Sequence, residues 1–290
     1  MTDLMNTHEV AEYLRIKERK VYDLVRDKKI PCTRVTGKWL FPKPLIDQWL
    51  AEGTELTSNP PPPPVVAGSH DPLLDWALRE SASGLAMLGG GSLDGLKRLA
   101  AGKAAITGLH VLDADSGEYN VPSVQAAVPG MDVVLIQWAW REQGLVLARG
   151  NPLGIGGLKD LKDKKARVVL RQEDAGSRIL FSVLLDREGL AIKDLKTLAQ
   201  PVLSETELGL AVQEGKADAG LAVADAARQY RLDFVPLHRE RYDLLIRRRA
   251  YFEEPFQTLL EFTRTDPFRD RAREMAGYDI SDLGRVIYNA

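Results

Sequence analysis

The sequence predicts two domains of different class: a small α+β head over residues 1–52 and a larger α/β body over residues 65–290. Three observations lead there. Residues 53–64, GTELTSNPPPPP, end in the five prolines Pro60–Pro64, which suit neither a helix nor a central strand and so read as a stiff linker. Charge divides at the same place: residues 1–50 carry ten Lys+Arg against seven Asp+Glu, whereas the rest of the chain carries 29 against 34. Finally, short apolar runs in the body alternate with helical stretches, and three of those junctions are a Gly-Ser pair.

Composition narrows the classes. Hydrophobic residues at 44% and charged residues at 28% describe a globular chain, and a net charge of -2 excludes a polycation while leaving room for one basic module. The single cysteine, Cys32, excludes an internal disulfide and any multi-cysteine metal site. No run of about 18 apolar residues occurs, and MTDLMNTHEV has neither the basic nor the apolar region of an export signal, so a cytoplasmic location is expected.

In the head, Thr7 is expected to cap a helix opened by Glu9 and Val10, with Val10, Ala11 and Leu14 as its apolar face. A second helix is expected from about Lys17 to Asp27, with Val21, Leu24 and Val25 inward and Lys17, Arg19, Lys20 and Tyr22 outward. A hairpin follows, Thr33–Val35 and Lys38–Phe41 turning at Thr36-Gly37, and then a last helix, Leu45–Leu50, opened by Pro44. Trp39 and Trp49 are expected in the core, because so small a domain cannot spare them.

The segments T-x-E-V-A-E-Y-L, R-K-V-Y-D-L-V, K-I-P and G-K-W-L-F-P, about 45 residues in all, resemble the excisionase or MerR-like winged helix–turn–helix domain. That resemblance implies double-stranded DNA as partner, with Lys17, Arg19, Lys20 and Tyr22 facing the major groove and Arg34 and Lys38 on the wing. So small a reader needs two copies on two half-sites, hence the expectation of a homodimer.

In the body, strands are expected at Val65–Ala67, Leu85–Leu88, Ala104–Ile106, Met131–Trp140, Gly144–Ala148, Arg167–Leu170, Ala219–Val223 and Phe234–Leu237, largely in parallel sheets. Helices are expected at Pro72–Arg79, Leu93–Ala101, Arg178–Gly189 and Thr206–Glu214, with Arg241–Arg248 returning to the first lobe and two helices closing the chain. Gly68-Ser69, Gly91-Ser92 and Gly176-Ser177 then deliver hydroxyls and free amides to helix starts, a chemistry suited to an anion. Arg178 suits bidentate capture of a carboxylate, sulfonate or oxyanion edge, and Arg171 is a similar candidate. His70 and His110 follow two of the junctions and are candidate cleft residues.

The segments G-S-H-D-P-L-L-D, G-G-S-L-D-G-L, T-G-L-H-x-L-D, R-x-Q-G-L, R-Q-E-D-A-G-S-R and A-V-Q-E-G-K-A-D-A-G-L resemble the type II periplasmic-binding-protein fold, in the form found behind helix–turn–helix heads. The resemblance implies two lobes, about 65–155 with 238–290 and about 156–237, and a small anion between them, molybdate or tungstate favoured. It implies ligand contacts from Ser69, Ser92, Thr107, Ser177, Arg178 and Thr206. The chain departs from the commoner G-S-G-T-R form at Asp174–Arg178, D-A-G-S-R, which keeps a hydroxyl but leaves oxyanion selectivity open, so an organic carboxylate or sulfonate stays in view.

No enzyme motif is complete, and only a Ser-His pair brought together in space would leave catalysis open. There is no phosphate loop and no H-E-x-x-H pair; Gly90–Asp94 approaches a nucleophile elbow without its final glycine; His8, His70, His110 and His238 have no metal-ligand spacing. No cofactor is expected. A transcription regulator controlled by a small anion is the leading expectation. A transporter's solute-binding component is disfavoured by the basic head and missing export signal, and a recombination accessory factor by the size of the body.

Overall fold

The computed structural model describes residues 4–35, 37–53 and 61–290. The turn residue Thr36 and linker residues 54–60 therefore lie outside the described residues. Two compact units are present, Met1–Pro61 and Pro62–Ala290.

The first unit runs β1 (Leu4–Met5), α1 (Thr7–Tyr13), α2 (Glu18–Arg26), β2 (Thr33–Val35), β3 (Lys38–Pro42) and α3 (Lys43–Gly53). Asn6, not Thr7, caps α1: its side chain accepts from the amides of His8 and Glu9, and the Glu9 carboxylate returns to the Asn6 amide at 2.7 Å. The turn to α2 is closed by Arg15 at φ 52°, with the Ile16 amide bonded to the Ala11 carbonyl, so only Leu14–Lys17 separate the two helices. Strand β1 was not anticipated; it pairs with β3, giving the antiparallel order β1-β3-β2. Met5, Val10, Ala11, Val21, Ile30, Phe41 and Ile46 form the core, with Trp39 and Trp49 packed against it. Helix α3 is longer than expected at both ends and includes Gly53.

The second unit begins with β4 (Val65–Ser69), α4 (Pro72–Glu80), β5 (Ala86–Gly90), α5 (Ser92–Ala100), β6 (Ile106–Leu109), α6 (Val121–Ala127) and β7 (Val133–Leu147). It continues through α7 (Leu158–Asp163), β8 (Arg167–Val169), α8 (Gly176–Arg187), β9 (Lys196–Thr197), α9 (Glu205–Gln213), β10 (Ala219–Val223) and α10 (Ala224–Tyr230). Then come β11 (Asp233–Arg247), α11 (Arg248–Tyr251), α12 (Glu254–Phe262), α13 (Asp266–Glu274), β12 (Tyr278–Asp279) and β13 (Val286–Asn289). The sheet order is β5-β4-β6-β11-β7-β10-β8-β9, with β12 and β13 also on β7.

Three expectations need correction here. The sheet is mixed: β5-β4-β6 and β10-β8-β9 are parallel, but every pairing of β7 and β11 is antiparallel. The two strands expected at 131–140 and 144–148 are one strand of 15 residues, as are the runs 234–237 and 241–248. Two short strands, β12 and β13, follow the closing helices.

At about 3.3 Å per residue, β7 and β11 each reach roughly 50 Å, enough to serve two lobes. Val134–Ala139 of β7 and Tyr242–Ile246 of β11 pack in one core region with α4, α5, α12 and α13. Leu145–Leu147 and Phe234–Leu237 pack in another with α8, α9 and α10. The two strands slip register twice, leaving Leu237 and Trp138 without opposite partners. Between those slips lie the residues that belong to neither core: Arg141 and Gln143 on β7, Glu240 on β11, all fully buried.

Candidate functional site

In the first unit, Lys17 stands at the start of α2, and Arg19, Lys20 and Tyr22 are exposed along it. Among the described residues Lys17, Arg19, Lys20 and Lys38 have no carboxylate partner, whereas Arg26 is tied to Asp23 and Asp27 and Lys43 to Asp47. His8 on α1 bonds Glu18 at 2.9 Å and fixes the first turn of α2, so the acidic residue nearest the basic stripe is already engaged. Arg34 lies 5.3 Å over the Trp39 ring, which holds its guanidinium at the exposed hairpin beside Lys38.

In the second unit, Ser69 and Ser92 leave the ends of β4 and β5 and meet, Oγ to Oγ, at 2.9 Å. His110 joins them: Nε2 is 3.1 Å from Ser69 Oγ, and its backbone amide donates to Ser92 Oγ at 3.3 Å. Its other ring nitrogen, Nδ1, lies 2.7 Å from Glu240 Oε2. Glu240 in turn accepts from Arg141 Nη2 and from Gln143 Nε2, and Arg141 Nη1 donates to Asp71 at 2.9 Å. Asp71, which caps α4 through the Leu74 amide, also accepts from Trp138 Nε1 and the Tyr278 hydroxyl. The Arg141 guanidinium lies 4.4 Å over the Tyr242 ring, whose hydroxyl donates to the Ser69 carbonyl. One network thus runs from the helix starts to the strand crossing.

Electrostatics follow from burial and pairing. Burial pushes the Glu240 carboxyl up, but Arg141 and His110 override it and hold the group at about 2. Burial lowers Arg171, opposed by the neighbouring carboxylates of Glu205, Glu207 and Asp174. Burial likewise lowers Arg178, opposed by the Glu173 carboxylate.

The second half closes onto this network. The Leu93 amide, at the start of α5, donates to the Asp174 carbonyl at 3.4 Å, and a Cβ on Gly91 would come within 2.5 Å of that oxygen. A Cβ on Gly176, at the start of α8, would come within 2.6 Å of the His110 carbonyl oxygen. Both glycines are there because backbone meets backbone. Beside this seam Ser177, Arg171 and Arg178 line a cavity of about 10 Å³ with Val169, Leu170, Phe181 and Leu221. Among the described residues, Ser177 Oγ is buried without a hydrogen-bond partner, as are Gln143 Oε1, Arg141 Nε and Glu205 Oε2.

Of the expected ligand residues, the structure brings together Ser69, Ser92 and His110, and places Ser177, Arg171 and Arg178 around one cavity. The others sit apart. The Thr107 hydroxyl is wedged against Gly68 and Gly95 in the packing of α5 on the sheet and bonds to none of the serines. His70 is half-exposed, 3.8 Å from Asp75. Thr206 is exposed on α9, which Ser204 caps, and it is the preceding Glu205 that turns inward. Asp71, Arg141, Gln143, Glu205, Glu240, Tyr242 and Tyr278 were given no role from the sequence, although R-x-Q-G-L contains Arg141 and Gln143 and G-S-H-D contains Asp71.

Residues 4–54 match the model of the helix-turn-helix domain, and residues 76–264 that of the PBP superfamily domain. The uncharacterized protein YvgK of Bacillus subtilis (strain 168) is 27% identical over 304 residues, covering 99% of this chain and 98% of its own. A protein in the ferredoxin 2Fe-2S gene 5' region of Clostridium pasteurianum is 24% identical over 110 residues, 36% of this chain and 97% of its own. Among solved structures, L-phospholactate-bound PEB3 shares the fold with a TM-score of 0.51 at 16% identity, covering 74% of this chain and 98% of that one. The ancestral amino acid-binding protein AncCDT-1 shares it at 0.50 and 14% identity, covering 73% and 93%. Among the described residues no helix is long and apolar enough to cross a membrane. With a two-lobed mixed sheet behind a helix–turn–helix head, and a family match over most of its length, the chain belongs to the PBP superfamily.

Proposed function

We propose that this protein is a one-component transcription regulator whose DNA-binding head is controlled by a small anion held between the lobes of its body. The observation that supports this most is the joining of a helix–turn–helix domain to a binding domain with buried, unpaired polar atoms along its interlobe seam. Exposed Lys17, Arg19, Lys20 and Tyr22 on α2, with Arg34 and Lys38 on the hairpin, would meet double-stranded DNA. The ligand site would draw on Ser69, Ser92, His110, Arg171, Ser177 and Arg178, with Thr107, His70 and Thr206 outside it.

A ligand preferring one arrangement of the lobes shifts their equilibrium, and operator affinity changes by the same coupling that operator exerts on ligand. Two copies of the chain would present two heads to two half-sites. The scheme is one of binding and invokes no reaction. The ligand class is a small anion: molybdate or tungstate, or an organic carboxylate or sulfonate.

The test is retardation of DNA from upstream of the protein's own gene, with and without a panel of these anions. Retardation is expected, and at least one anion should change it. Arg19→Ala with Lys20→Ala should abolish it, and a salt slope reduced by roughly 0.9 for each lost phosphate contact should accompany either single change. Retardation that survives the double substitution, or that no anion moves, overturns the reading.

A further inference from the structure

The unpaired groups along the seam are not all donors. Arg141 Nε and Ser177 Oγ can donate, and Arg171 beside Ser177 spends Nε on Gln172 and Nη2 on the Leu203 carbonyl. Gln143 Oε1 and Glu205 Oε2 can only accept: Gln143 spends its NH₂ on Glu240, and Glu205 Oε2 has no hydrogen-bond partner among the described residues. Glu205 is 7% exposed. It stands at the start of α9, two residues after Leu203, whose carbonyl accepts from Arg171 Nη2 at 3.0 Å, and Arg171 lines the cavity with Ser177.

Charge alone does not decide the ligand: the buried carboxylates Asp71, Glu205 and Glu240 stand against the buried guanidiniums Arg141 and Arg171 and the half-buried Arg178. Hydrogen bonding does: a tetrahedral dianion offers acceptors only and would leave Glu205 and Gln143 unpaired. A plain carboxylate shares that fault. An ammonium satisfies both acceptors, while the carboxylate on the same molecule takes Ser177 and Arg171.

We infer that the ligand of this seam is a zwitterion, a small organic acid that also carries an ammonium group, with Glu205 as the residue that selects for it. This rests on the reading of the body as an anion-responsive binding domain and names the class of anion.

The test is calorimetry on the full-length chain with the protein amino acids, with acetate, lactate and pyruvate as acids lacking nitrogen, and with molybdate, tungstate and sulfate. At least one amino acid should bind, each nitrogen-free probe at least about tenfold more weakly. Glu205→Gln, which keeps the shape of the side chain and removes its charge, should lose at least about tenfold in amino-acid affinity. If that variant misfolds, the comparison of probes on the unaltered protein decides the question alone. Tight binding of molybdate, tungstate or a nitrogen-free acid, or Glu205→Gln affinity unchanged or improved, overturns the inference and leaves the anion-responsive reading standing. Silence from every probe ends both. Amino-acid binding that leaves DNA retardation unaltered ends the regulator and keeps the zwitterion.

Discussion

The helix starts around the seam and the middle of the two long strands solve one problem in opposite ways. At the helix starts, small neutral groups do the work: Ser69, Ser92 and Ser177 bring hydroxyls, and Gly91 and Gly176 let backbone close in. At the strand crossing, the work is done by full charges that are wholly buried, Arg141 between Asp71 and Glu240. Neutral dipoles cost little to bury and are individually weak; buried charges are costly unless every one is paired. The crossing should therefore dominate stability, and the helix starts should dominate ligand affinity.

The largest effect expected follows directly. Arg141→Met leaves two buried carboxylates facing each other without their cation, which costs about 3–5 kcal/mol. Urea unfolding followed by the fluorescence of buried Trp138 measures it. A cost below about 1 kcal/mol would dissolve the contrast between the two regions.

Glu240→Gln is the next step down, about 3 kcal/mol at neutral pH, since Arg141 keeps Asp71. Its pH dependence is the sharper reading. A carboxyl held at about 2 when folded, against 4.5 ordinarily, contributes stability above about pH 4.5 that is lost as pH falls toward 2. The gap between the unaltered protein and Glu240→Gln should thus be constant above pH 5 and narrow below it. A gap that widens on acidification would mean that Glu240 is not ionised in the folded protein.

The same contrast explains what was legible in the sequence. Helix starts have a local signature, a Gly-Ser pair after an apolar run, and the elements carrying Ser69, Ser92 and Ser177 fall within a few residues of their expected bounds. The crossing has the opposite signature. Arg141-Glu142-Gln143 and His238-Arg239-Glu240 interrupt apolar runs with polar residues, which reads as a turn between short strands. Here alternate residues point inward to a charged network and outward to solvent: Arg141, Gln143 and Glu240 are buried, Glu142 and Arg239 exposed. A buried polar centre and a loop look alike until the partners arrive, and Asp71 lies 70 residues from Arg141 along the chain. In the head, where the two helices and the hairpin are each set by neighbouring residues, the expected elements are all present; the cap on Asn6, the two-residue β1 and the full length of α3 are what the sequence reading lacks.

Within the helix starts the serines should separate. Ser69→Ala removes bonds to Ser92 and His110 and should cost about 1 kcal/mol in unfolding free energy. Ser177→Ala removes a hydroxyl with no partner, so its stability should change by less than about 0.5 kcal/mol while affinity for a bound anion falls roughly fivefold. Equal stability costs for the two would show that Ser177 is satisfied within the protein and is no ligand group.

The smallest expected effect is at α9, and it tests whether position in the helix or direction of the side chain decides a role. Ser204 accepts from the Glu207 amide at 3.0 Å, so Ser204→Ala should cost about 1 kcal/mol as the loss of a helix cap. Thr206, two residues on, is exposed and bonds nothing in its first turn, so Thr206→Ala should leave both unfolding and anion binding unchanged within about 0.5 kcal/mol. A loss of anion binding in Thr206→Ala with stability intact would mean that α9 turns by one residue when the ligand arrives. Thr206 would then replace Glu205 at the seam, and the case for a zwitterion would lose the carboxylate on which it rests.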